Sequence, residues 1–241
     1  MEKHISPQSA PRRKKNNSSD RLEAVFEKVL GNERAALYMQ LADGYLKELG
    51  YTEHGQRHLK IVASSGYKIL KKLSFPEREA ELAAVAGLLH DLGNMLGRHD
   101  HHRIGALLAK EVLEELGYPL KDIGTVMMAI MTHEEAEGVV PSPVAAALLI
   151  SDKADVHRSR VRTQNDIKGD IHDRVNYAVA ESDLTVEPSG RLITLNLVID
   201  TRISHVIEYF EIFLSRMKGC RQAARALNAE FQLFINNIRM A

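Results

Sequence analysis

Leu82-Ala83-Ala84-Val85-Ala86-Gly87-Leu88-Leu89-His90-Asp91-Leu92-Gly93 is the stretch that decides the fold. Its apolar run reads as a helix buried on every side. The helix finishes on two side chains of metal-ligand type, His90 and Asp91, just before Gly93. A carboxylate carried to the edge of a core is unfavourable unless a cation pairs with it. A second segment repeats the arrangement: Val144-Ala145-Ala146-Ala147-Leu148-Leu149-Ile150 reaches Asp152 after one serine. Packing alone gives no reason for two apolar helices each to deliver an aspartate. A metal ion between them neutralises both.

Histidines fill out the set. The chain has 11, and all but His4 lie between His54 and His205. His54 and His58 stand four apart and share a face of one predicted helix. His101 and His102 open another whose next turn holds Gly105, one as ligand and the other as cap, in either order. His133 continues the stripe of Val126 and Ile130 and so falls on a buried side. Several imidazoles with two or three carboxylates suit Mn, Fe, Co, Ni or Zn better than Mg or Ca, which favour all-oxygen shells.

The neighbouring charges are read more openly. If the helix of Asp152 runs on to residue 162, then Asp152, Asp155, Arg158 and Arg162 share a face. The two arginines either fork onto a substrate phosphate or form an ion-pair ladder with Asp155. Lys153 is either a phosphate contact or solvent-facing. His99 reads as a solvated loop residue. His172-Asp173 is a second doublet, but no apolar helix feeds it, so Asp173 reads as a first-turn acid favouring the helix dipole.

Outward from these motifs, helical spacing recurs over 20–30, 32–49, 52–73, 76–92, 101–116, 119–133, 142–162 and 171–181. After Ser182 the pattern changes. Ile193, Leu195, Leu197 and Ile199 alternate with their neighbours, Pro188-Ser189-Gly190 supplies a turn, and Leu184-Thr185-Val186 is the opposing strand of a hairpin. A long helix over 201–227 follows, its stripe including Phe210, Phe213, Met217 and Cys220, packed inward or against a second copy in a homodimer. Phe231–Asn236 is a candidate third strand. The predicted architecture is mainly α: a polar basic tail over 1–19, a helical metal-binding domain over 20–181, and a small α+β appendage over 182–241.

Composition narrows the function classes. Basic and acidic residues balance at 32 each, and tryptophan is absent. Neither a field for nucleic acid nor a rich stacking surface is present, so nucleic acid is not an obligatory partner. Cys220 is the single cysteine, which excludes an internal disulfide. With no secretory pattern and no apolar run of spanning length, a cytoplasmic protein without a membrane partner is expected.

The order His58, His90-Asp91, His101, His133, Asp152 resembles the HD-domain metal-dependent phosphohydrolase superfamily, an all-helical fold, over roughly residues 50–160. By that resemblance His58, His90, Asp91 and Asp152 hold one metal, His101 and His133 hold a second, and Asp91 bridges the two. It further implies hydrolysis of a nucleotide or another small phosphorylated substrate. Asp91, Lys153, Arg158 and Arg162 would then act in catalysis, with His54, His102 and Asp155 behind the ligands or against substrate. His133-Glu134 with Gly138 resembles part of the motif of HD-GYP phosphodiesterases. Thr132 stands where those have a further histidine, Asn94 replaces their lysine, and no Gly-Tyr-Pro follows. The acidic signature of stringent-response hydrolases is also missing. The same six ligands are similar to those of HD-type di-iron oxygenases, and a non-catalytic sensor or scaffold would share the fold.

Overall fold

The computed structural model describes residues 18–134, 138–162, 169–189 and 191–241. Among them, helices α1 (Ser18–Leu30), α2 (Glu33–Glu48), α3 (Gln56–Lys72), α4 (Glu77–Leu89), α5 (His101–Glu115), α6 (Leu120–Met131), α7 (Pro143–Ala154) and α8 (Ile171–Ala178) come first. Strands β1 (Val179–Glu187) and β2 (Leu192–Ile199), helix α9 (Val206–Ala226), and strands β3 (Glu230–Ile235) and β4 (Ile238–Arg239) follow. The fold is a helical bundle with a small sheet, as the change of periodicity predicts. The helix expected over 171–181, however, stops at Ala178 and β1 begins at Val179, where pairing with Ile199 draws the chain into the sheet.

Two helices form its centre. Leu82–Leu89 of α4 and Val144–Ser151 of α7 are buried at every position, which is why neither shows a polar stripe in sequence. Ser142 caps α7 by accepting from the Ala145 N–H, and Pro143 occupies the first turn. Close packing depends on absent side chains. A Cβ on Gly87 would lie 2.7 Å from backbone atoms of Ala63 in α3. One on Gly93 would overlap the His101 carbonyl oxygen. The second contact presses the 3-10 turn Leu92–Leu96 onto the start of α5, bringing Asp91 and His101 together.

The sheet has the order β1-β2-β3-β4. β1 and β2 form the expected antiparallel hairpin, with Leu184 opposite Leu195 and Val186 opposite Ile193. β3 runs parallel to β2, because α9 carries the chain back across the sheet, and β4 folds antiparallel onto β3. The α9 stripe turns inward, with Phe213, Met217, Cys220 and Ala224 buried, but Tyr209 rather than Phe210 is the fully buried ring at its start and Phe210 is half-buried; the helix packs on α7. One continuous apolar cluster joins bundle and sheet.

Several predicted boundaries are corrected. The helix expected over 142–162 stops at Ala154, because Asp155 leaves helical geometry and turns its carboxylate to Arg57 and His58. The helix expected from residue 52 begins at Gln56 after a Gly55 cap, so His54 lies in the preceding loop and shares no helix face with His58. The helix expected from residue 201 begins at Val206, where His205 and Glu208 form a capping box. Of the tail expected over 1–19, residues 1–17 lie outside the described residues, and Ser18 and Ser19 already belong to α1.

These contacts predict opposite signs for two glycine substitutions. Gly87→Ala drives a methyl into α3 and should destabilise by about 2 kcal/mol. Gly44, inside α2 with open space where a Cβ would stand, should gain about 0.5–1 kcal/mol as alanine. Urea denaturation midpoints of the two variants read this; equal shifts would contradict the packing described.

Candidate metal centre

The site grows from the ends of the two central helices. His90 follows α4, and its Nδ1–H donates to the Gly87 carbonyl at 3.0 Å. A carbonyl can only accept, so in the neutral ring the Nε2 atom carries the lone pair. The same fixing recurs around the cluster. His101 Nδ1–H donates to the Arg98 carbonyl at 3.1 Å, and His133 Nδ1–H to the Ile130 carbonyl at 2.6 Å. His58 Nδ1–H donates to the Asp155 carboxylate at 2.7 Å. Four rings from α3, the end of α4, α5 and the end of α6 therefore turn their Nε2 atoms inward.

Apart from the Arg98 Nη1–H that donates to His101 Nε2 at 3.1 Å, what these atoms meet is other acceptors. His58 Nε2 lies 3.3 Å from Asp152 Oδ1 and 3.9 Å from Asp91 Oδ2. His90 Nε2 lies 3.3 Å from Asp91 Oδ2 and 3.6 Å from Asp152 Oδ1. His58 Nε2, His90 Nε2 and Asp91 Oδ2 are all buried without a hydrogen-bond partner. His101 Nε2 and His133 Nε2 face each other at 3.2 Å. Burial pushes these two rings down, to about 4 for His101 and about 3 for His133, so both are neutral at pH 7. Two facing lone pairs and three buried polar atoms without partners fit a cation between them.

The donors fall into three overlapping groups, each with its ligand atoms within 4.8 Å of one another: His58, His90, Asp152; His90, Asp91, His133; and His101, His133, Glu134. A family model described as HD domain matches residues 55–159. This chain carries an HD domain. The chain is also similar to the uncharacterized protein MJ1020 of Methanocaldococcus jannaschii, 26% identical over 164 residues, which is 57% of this chain and 61% of that protein. It thus spans about three-fifths of that relative's length.

Within the HD domain, all six expected ligands, His58, His90, Asp91, His101, His133 and Asp152, come together. Glu134 joins them unannounced, with Oε1 3.3 Å from His101 Nε2. Its sequence signal is the His133-Glu134 pair of the HD-GYP-like stretch, of which the histidine alone is expected as a ligand. Asn94, also unforeseen, donates to Asp91 Oδ1 at 2.7 Å and aims the carboxylate. Behind His58, Asp155 is gripped by Arg57 at 3.0 Å, and a carboxylate behind a ligand histidine fixes its orientation. Burial tends to raise Asp155, but His58, Arg160 and Arg57 outweigh it and hold the carboxyl well below the usual range.

The surrounding candidates separate. Lys153 is buried rather than solvent-facing, donating to Asp152 Oδ2 at 2.7 Å and lying 3.5 Å from Glu134 Oε2. Arg158 is exposed over the Tyr177 ring, 5.7 Å from its centre, away from the donors. Arg162 pairs with Asp43 and donates to the Tyr51 carbonyl, fastening the loop before α3. Neither forms the predicted ladder; Arg160 makes the contact to Asp155 instead, through the backbone carbonyl at 2.8 Å. His54 edges His58 with ring centres 5.4 Å apart, and His102 lies beside His101 at 5.6 Å. A cavity of about 340 Å³ is lined by His54, Arg98 and Asp155, which each touch a donor residue, and by His172 and Arg216; none of the donors themselves lines it. His172 and Asp173 sit in the first turn of α8, as read from sequence.

The carboxylates beside His90 give the protein a pH dependence. Burial opposes a charged His90, but Asp91 and Asp152 outweigh it and raise the ring to about 10. Its charge therefore contributes stability that is complete below the ordinary value of 6.5 and is lost as the pH climbs through about 10. A divalent cation must displace that proton. Uptake at pH 7 should release about one proton per chain, with affinity rising roughly tenfold per pH unit. Calorimetry in two buffers of different ionisation enthalpy reads the release; uptake with no proton released contradicts the assignment.

Proposed function

We propose that this chain is a metal-dependent phosphohydrolase, acting on a nucleotide or another small phosphoester through two divalent transition-metal ions. The supporting observation is the inward convergence of His58, His90, His101 and His133 Nε2 atoms on Asp91, Asp152 and Glu134. His58, His90, Asp91 and Asp152 would hold one ion. His101, His133 and Glu134 would hold the other, with Asp91 between the sets. Mixed imidazole and carboxylate donors favour Mn, Fe, Co, Ni or Zn over Mg.

When bound, such ions supply Lewis acidity and lower the pKa of coordinated water. The chain's own residues then bind and orient. The cavity is large enough for a small phosphorylated molecule, and two of its lining residues, His54 and Arg98, touch the donors His58 and His101. Lys153 Nζ lies between Asp152 and Glu134, where it offsets their charge and keeps both carboxylates ionised. Arg98 is the guanidinium closest to the donors and is suited to charge developing on phosphoryl oxygens.

The test is anaerobic purification, elemental analysis and a screen of phosphomonoesters, phosphodiesters and nucleotides with each metal. Asp91→Ala should lose metal and hydrolysis together. His133→Ala should retain about one ion of two, with hydrolysis reduced at least a hundredfold. Full metal content in Asp91→Ala would sink the HD-site assignment. Iron content with charge-transfer absorption and dioxygen uptake, without phosphate release, would instead establish an oxygenase.

A further inference from the structure

Arg98 stands on the donor set assigned above to the second ion. Its Nη1 donates to His101 Nε2 at 3.1 Å and to Asn94 Oδ1 at 3.2 Å, and lies 4.0 Å from Asp91 Oδ1. Its Nη2 donates to Glu134 Oε1 at 3.3 Å. A permanent cation thus already engages two of the three donors, and the third, His133 Nε2, is 3.2 Å from His101 Nε2. The position is exclusive. His101 has its Nδ1 proton committed to the Arg98 carbonyl, so Nε2 offers one lone pair, which can serve the guanidinium or a metal but not both. The side chain is about one-third exposed and lines the cavity, so it has space to leave the donor set on that side.

We propose that Arg98 has two working positions: seated on His101 and Glu134 it competes with the second ion, and displaced into the cavity by that ion it grips the substrate phosphate. The proposal rests on the two-ion reading of the preceding subsection. It makes loading of the second ion and capture of the anion one linked event. The ion frees the guanidinium that the phosphate then engages, and a bound phosphate keeps the guanidinium from returning. The surrounding charge makes both positions tenable, since Glu134 attracts the guanidinium inward and a phosphate attracts it outward.

The experiment is calorimetric titration of the full chain with Mn²⁺, then of the Mn²⁺-loaded protein with inorganic phosphate, for wild type, Arg98→Ala and Arg98→Lys. In Arg98→Ala the second Mn²⁺ should bind about tenfold more tightly, the first unchanged, and phosphate about tenfold more weakly, the scale of one charge-assisted hydrogen bond. Arg98→Lys should recover part of the phosphate affinity. Opposite signs for ion and phosphate are the signature, because general damage to the site would weaken both. If the second Mn²⁺ binds Arg98→Ala with unchanged or lower affinity, the competition is refuted while the two-ion site stands. If phosphate binds Arg98→Ala as it binds wild type, the gripping position is refuted. If neither protein takes a second Mn²⁺, the two-ion reading fails and this proposal with it.

Discussion

The Nδ1 protons of four buried histidines are committed to protein oxygens, and the rest of the site depends on that commitment. Gly87, Arg98 and Ile130 supply backbone carbonyls, and Asp155 supplies a carboxylate. Each bond fixes a tautomer and a ring orientation, leaving an Nε2 lone pair directed into the cluster. Lone pairs and carboxylates brought together in a core repel one another and forfeit hydration. A cation reverses both penalties. Lys153, Arg98 and a charged His90 also offset Asp91, Asp152 and Glu134 within the cluster.

The fold serves this arrangement by bringing helix ends to one place. α4 and α7 cross the core as apolar rods whose polar residues appear only where they stop. The absence of a side chain at Gly93 lets the turn after α4 press on α5, which sets Asp91 against His101. Asp155 ends α7 and simultaneously holds His58. The sheet is tied to this same point, with Ser182 of β1 donating to the Ala154 carbonyl at 2.9 Å. α8 and α9 extend the outer wall of the cavity beyond the segment matched by the HD family model. No helix of the described residues is long and apolar enough to cross a membrane.

Much of this was legible in the amino-acid pattern because burial on every side leaves an unmistakable trace. The apolar runs before His90-Asp91 and before Asp152 identify the central helices, and alternation from Ile193 to Ile199 identifies the strand. Helix ends were less legible where tertiary partners set them. Periodicity carries the helix of Asp152 on to residue 162, but the partner that stops it, His58, is 97 residues away in sequence. Glu134 and Arg98 lie in turns, where side-chain direction follows from packing rather than from a repeat. Arg158 and Arg162 fit a ligand face only on a continuous helix, and that face vanishes with the early stop.

If these inward-facing atoms hold metal, anomalous scattering from crystals grown with Mn²⁺ will show two peaks about 4 Å apart. One should lie among His58, His90, Asp91 and Asp152, the other among His101, His133 and Glu134. Well-ordered crystals with Mn²⁺ present and no peak within the cluster would contradict the metal assignment.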